Sequence, residues 1–391
     1  YRSVTEIVDI LNRLYHDSEF TQDSSDAMKR VKPDFLPRVI ISSNVLTTLS
    51  KLQEDDPDTL VLYLLNKERF SAIGASGLFQ AFSGMKKYSF GRSYSAVDVL
   101  TAPYDENPDP LLKLLYCVVR MSKSFQKGQY GPIIRTLKSN KSMFCQETCG
   151  IKNHGDKIQL FQKLTLVFAV MQDKAKTILD VLLSLEETLL ADKTYIGNVL
   201  ADAEYEAAFT VPAIELIRVL DYLDDPKVST QHGVKGESHN SVVFVADDSH
   251  STPIVYMYRF FDLLCQIPIS LQSFNQFYYE YIGELASLQS TIKMKIRELK
   301  KSDYAQHEDE ILKKATTIVE RFSDNPYFQR ICLDKYVEYL DKPGVTKARE
   351  CLKENSVLGI LSAYKLFYVG CSRARRNLTI LLDRSKLQGD V

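Results

Sequence analysis

Leu366-Phe-Tyr-Val-Gly-Cys-Ser-Arg-Ala-Arg-Arg-Asn-Leu378 is the stretch that decides how this 391-residue chain is read. Leu366, Val369, Gly370 and Arg373 stand at i, i+3, i+4 and i+7, the spacing of one helical face. A permanently charged guanidinium thus closes an apolar stripe, where it needs an anionic partner. A structural carboxylate would serve, and so would a phosphate, because the planar guanidinium fork matches both. Working outward, the chain opens Tyr1-Arg-Ser-Val-Thr-Glu-Ile-Val-Asp-Ile-Leu-Asn12. Ser3 with Glu6 three residues on reads as a capping box, and Ile7, Ile10 and Leu11 form the stripe of the helix that follows. Arg2 falls just before that helix. A third stretch runs from Val228 to Val245; its glycines at 233 and 236 let the backbone approach a ligand or another segment before the Val242–Val245 strand.

Taken in order, these stretches resemble motifs IV, V and VI of the UvrD-like superfamily 1 DNA helicases. The opening is similar to YRS-x-x-x-I. Thr230, His232, Lys235 and Gly236 match T-x-H-x-x-K-G, and 366–378 matches L-x-Y-V-G-x-(T/S)-R-A-(K/R)-x-x-L. The resemblance implies the second of two RecA-like motor domains, with ATP and Mg²⁺ bound between the two and held mainly by the first. On the matching positions, Arg2 and Arg373 would be the catalytic arginines reaching the γ-phosphate. Gly236 and Glu237 would join them in nucleotide binding, and Thr230, His232 and Lys235 would touch the DNA strand. The chain departs from the pattern at one point. Ungapped, Glu237 stands at the family's leucine and Ser238 at its ribose-binding glutamate, so either Glu237 takes over with a shifted backbone or that contact is absent.

No G-x-x-x-x-G-K-(S/T) occurs, and no hydrophobic strand ends in an Asp-Glu pair followed by the family's Gln. The expectation is a piece of a longer helicase that does not hydrolyse ATP by itself and needs an N-terminal RecA-like domain as partner. Forty-nine basic and fifty acidic side chains nearly cancel, so any DNA contact must come from local patches. The longest apolar run, Leu164–Met171, is too short to cross a bilayer. No membrane association is expected. Seven scattered cysteines read as reduced thiols of a cytoplasmic protein. Cys145, Cys149 and His154 offer three ligands where a structural zinc takes four, so no metal site is expected. Cys371 reads as a packing residue.

Apolar patterning places strands at Val39–Ser42 and Thr59–Leu65 and helices at Asn44–Gln53 and Ala72–Phe82, a β/α alternation that points to a doubly wound sheet. The fold expected is α/β: a RecA-like parallel sheet flanked by helices and interrupted by mostly helical insertions. The segments are 1–85 (motor domain, motif IV), 86–224 (helical insertion), 225–250 (motif V), 251–357 (an extra helical insertion) and 358–391 (motif VI). Within the extra insertion, Ile292, Ile296 and Leu299 mark a helical stripe surrounded by Lys293, Lys295, Arg297, Lys300 and Lys301. Such a basic helix reads as a solvated face, a hold on DNA backbone or a seat for a protein partner. The function expected is the C-terminal part of an ATP-dependent helicase or translocase of the DNA-repair kind, working on single-stranded or partly duplex DNA. The alternative is a non-catalytic, helicase-like DNA-binding or assembly subunit.

Overall fold

The computed structural model describes residues 2–15, 21–231, 233 and 237–387, and the backbone alone of Cys149. The chain divides into two compact units, one of Tyr1–Leu64 with Ser229–Val391 and the other of Leu65–Val228.

The first unit is an α/β structure built on five strands: β1 (Arg38–Ser42), β2 (Leu60–Tyr63), β3 (Val228–Thr230), β4 (His239–Val245) and β7 (Ala374–Asp383). A small antiparallel pair, β5 (Asp248–Ser249) and β6 (Val255–Tyr256), stands apart from them. The sheet order is β1-β7-β4-β2-β3. The β1·β7, β4·β7 and β2·β4 pairings are parallel, with Val39 opposite Ile380, Val243 opposite Thr379 and Leu60 opposite Val242. Continuous apolar runs such as Val242-Val-Phe-Val245 suit central strands covered on both faces, and these four residues are buried.

Helices Thr5–Tyr15, Met257–Gln266 and Asn355–Cys371 cover the sheet. The Asn355–Cys371 helix lies close to the strands because it carries glycine where aromatic rings press. A Cβ at Gly370 would sit 2.4 Å from the Phe244 ring, and one at Gly359 would sit 2.4 Å from the Tyr256 ring. Aromatic contacts then run outward from this helix. Phe367 meets Phe244 at 5.3 Å and Phe260 at 5.5 Å, and Tyr364 meets Phe260 at 5.1 Å. Phe274 stacks on Tyr327 at 4.5 Å, and Phe277 meets Phe322 edge-on at 5.5 Å. Residues 251–357 therefore share one aromatic core with the sheet.

Several sequence expectations need correction. Ser3 does not cap the first helix. Its Oγ donates to the Ala374 carbonyl at 2.6 Å, and the helical bonds start from the Val4 carbonyl. The buried face of that helix is Ile7, Val8, Leu11 and Leu14, with Ile10 only half-buried. The basic stretch 293–301 is not a helix. The long helix Leu271–Ile292 ends there because Lys293 adopts φ +53°, a short 3-10 turn covers Ile296–Glu298, and a second long helix spans Lys301–Phe322. Ala72–Phe82 is likewise broken, at Gly74 with φ +71°, into helices Asn66–Ala72 and Ser76–Ser83.

The second unit is helical, with its own core from Phe70 to Leu220. It starts at Leu65, earlier than the boundary of 86 read from sequence, because Phe70, Leu78 and Phe82 of those two short helices lie in that core. Helix His154–Gln172 contains the apolar run Leu164–Met171, and helix Pro110–Gln126 is buried along most of its length. Asp109 is fully buried, caps the first of these through the Leu112 N–H at 2.9 Å, and accepts the Tyr205 hydroxyl at 2.7 Å. Glu215, also buried, accepts the Leu78 N–H at 2.8 Å, and its removal from water raises its pKa. Among the described residues, no helix is long and apolar enough to cross a membrane.

Candidate functional site

Arg373 lies in the turn just beyond the Asn355–Cys371 helix, not on the helix itself. The helix must stop there for the chain to enter β7. Its last turn is closed by the Ser372 hydroxyl and the Arg373 Nε, which donate to the Val369 carbonyl at 2.7 and 3.2 Å. A cation at this end also complements the helix dipole. Arg373 Nη1 donates to the Glu237 carbonyl at 3.1 Å. Its Nη2 has no hydrogen-bond partner, and its guanidinium no carboxylate partner, among the described residues. Among the described residues, backbone carbonyls orient this charge and no acid pairs with it.

Arg2 reaches the same edge by two bonds from its neighbours. Ser3 is tied to the Ala374 carbonyl as above, and the Val4 N–H donates to the Arg375 carbonyl at 2.8 Å. The Arg2 side chain is exposed, with no partner among the described residues. Glu237 arrives from a third direction. The His239 N–H donates to the Arg373 carbonyl at 2.8 Å, fixing the start of β4 beside the start of β7. The Glu237 carboxylate is exposed and lies 3.3 Å from the His239 ring. Arg2, Glu237 and Arg373 therefore gather at the amino edge of β4 and β7.

The motif V residues sit elsewhere. Gln231 accompanies Thr230, and its N–H bonds the Tyr63 carbonyl at 2.9 Å while its Nε2 bonds the Val245 carbonyl at 3.0 Å. Those are the carboxyl ends of β2 and β4, about 20 Å from the arginine edge at roughly 3.3 Å per residue along β4. Thr230 is buried, and its Oγ1 accepts the Gly233 N–H at 3.1 Å, closing a tight turn. His232, Lys235 and Gly236 lie outside the described residues.

Two residues that sequence reading passed over belong in this account. Arg375 stands two residues beyond Arg373, and its Nε is buried without a partner among the described residues. The signal was the R-A-R-R run, in which period two puts 373 and 375 on one side of the entering strand. Gln231 is fully buried, with Oε1 unpartnered among the described residues. Nothing in its sequence context distinguishes it from a surface loop residue. Cys371 is fully buried, and burial pushes its thiol pKa up, as suits a packing residue.

An open α/β sheet ordinarily binds its ligand at the carboxyl ends of its strands. Here the unneutralised arginines stand at the opposite edge and no phosphate loop accompanies them. That arrangement suits cations offered to a ligand held by another body, not a self-contained pocket. No family model matches the chain, and no curated protein matches it.

Proposed function

We propose that this chain is the second motor domain of an ATP-dependent DNA helicase or translocase of UvrD type. It would offer arginines to the γ-phosphate of an ATP·Mg²⁺ cradled by another RecA-like domain, with single-stranded DNA as the track. The observation that carries this reading is the convergence of Arg2 and Arg373 on one strand edge, through the Ser3–Ala374 and Val4–Arg375 bonds, with neither guanidinium paired to a described acid. Hydrolysis needs positive charge fixed where the γ-phosphoryl group becomes more negative, and a cation held by carbonyls is oriented without being neutralised. Arg375 would add a third cation to that edge. Thr230 and Gln231 at the far edge would shape the loop that carries the DNA contacts, with Thr230 acting through its turn because its hydroxyl is engaged.

The test is the ATPase rate of the full-length gene product with and without single-stranded DNA, beside an Arg373→Ala variant. DNA-stimulated hydrolysis should fall about a thousandfold or more in the variant, the scale of a transition-state arginine, while circular dichroism stays unchanged. A well-folded full-length protein without hydrolysis would leave the non-catalytic, helicase-shaped DNA-binding subunit as the reading.

A further inference from the structure

The sheet unit contains a cleft of about 630 Å³ whose lining includes none of the motif residues. It is formed by the last turns of the helix Leu271–Ile292, the turn that follows it, the helix Val345–Cys351, and the 352–354 link into the first residue of the Asn355–Cys371 helix. Lys295, Arg297, Arg349 and Lys353 line it, against Glu350 and Glu354. Glu354 is engaged by the Tyr278 hydroxyl at 2.6 Å. Arg349 is steadied by an Nη2 bond to the Arg297 carbonyl at 2.8 Å, which leaves its charge in place. Lys295 and Lys353 are exposed and have no ion-pair partner among the described residues. Lys293, Lys300 and Lys301 continue the basic surface along the same connection.

We infer that this cleft is a binding site for the phosphate backbone of nucleic acid, separate from the motif V loop. The inference deepens the proposed function and rests on it for the choice of nucleic acid as ligand. Four cations drawn from three segments face two lining acids, with Arg297 also 3.4 Å from Glu298, and in a chain of nearly zero net charge the remaining excess is what phosphates neutralise with release of counterions. Glu350 and Glu354 stand among these cations, but Glu354 is held by the Tyr278 hydroxyl, and Lys295 and Lys353 have no ion-pair partner among the described residues, so the concave surface keeps a positive excess. The cleft also begins the helix whose other end holds Arg373, so its occupant would touch the element that positions that arginine.

The test uses the full-length protein and a fluorescein-labelled dT30 oligonucleotide, with binding followed by anisotropy across a potassium chloride series. Lys295→Glu/Lys353→Glu is compared with Lys51→Glu/Lys193→Glu, which changes net charge equally at exposed sites outside the cleft. The cleft variant should bind at least tenfold more weakly at 0.1 M salt. Its slope of log K against log salt should fall by about 1.4, since each lost single-strand phosphate contact removes about 0.7. Equal weakening by both variants, or no change in slope, overturns the cleft. The Arg373→Ala ATPase comparison is read independently. Hydrolysis lost there with no cleft effect here would retain the motor and reject this site.

Discussion

At Gly370 the space available decides the residue. Any side chain would begin 2.4 Å from the Phe244 ring, closer than carbon atoms pack. Gly370→Ala must push Phe244 or the helix aside, and should destabilise the sheet unit by about 1–3 kcal/mol in urea unfolding. Gly197, by contrast, lies on an exposed helix with no atom near its virtual Cβ, so Gly197→Ala should stabilise the helical unit by about 0.5–1 kcal/mol. Similar shifts of the same sign from both would contradict the close approach. Gly370 was legible in sequence because it falls with Leu366 and Val369 on one helical face. Ser3 was misread because a hydroxyl before a helix looks the same whether it caps that helix or bonds a strand 371 residues away. Arg375 was missed because the periodicity changes from helix to strand just after Arg373, and a helical reading scatters what a strand aligns.

Among the elements, the two long helices of the 251–357 stretch are clasped by ion pairs centred on Glu284, with Glu280 adding a contact of 3.4 Å to Arg321. Glu284 bonds Lys314 and Arg321, with the Glu284 and Lys314 side chains only 14% and 19% exposed. The Lys314 bond is the main cause lowering the Glu284 pKa, against the opposing effect of burial, with Arg321 adding to it. A depressed carboxylate pKa gives stability that is present above its unfolded value near 4.5 and is lost as pH falls through the folded value. Glu284→Gln should therefore cost about 1–2 kcal/mol at pH 7, discounted because Arg321 is half exposed, and the difference should narrow progressively as pH falls below 4.5. A gap in melting temperature that does not change with pH below 4.5 would show that the loss is steric and not ionic. The turn joining these helices was illegible for a definite reason. Ile292, Ile296 and Leu299 keep helical spacing and are all buried, yet the chain reverses at Lys293 and buries them in the bend. Periodicity records which residues are inside, not whether the backbone stays straight between them.

Across the whole molecule, the alternation of apolar strands and helices announced the parallel sheet, because central strands need unbroken apolar runs. Which helices share a core with the sheet was hidden, since that depends on pairs such as Phe260 and Phe367, over one hundred residues apart. The Leu65–Val228 unit has its own buried core and polar anchors at Asp109 and Glu215. Expressed alone, residues 65–228 should give a helical protein with a single cooperative thermal transition. A broad, non-cooperative melt would show that its core is completed from outside. The glycines at 359 and 370 have a last consequence, which concerns time. They stand eleven residues apart, just over three full turns, so two rings seat on the same side of one rod. Neither axial slippage nor rotation is open to that rod without unseating both rings at once. Amide hydrogens from Ile360 to Cys371 should then exchange with deuterium only through global opening of the unit. Arg373 would accordingly keep its place on the sheet through every slower motion, and its reach would change only when the sheet itself is carried along.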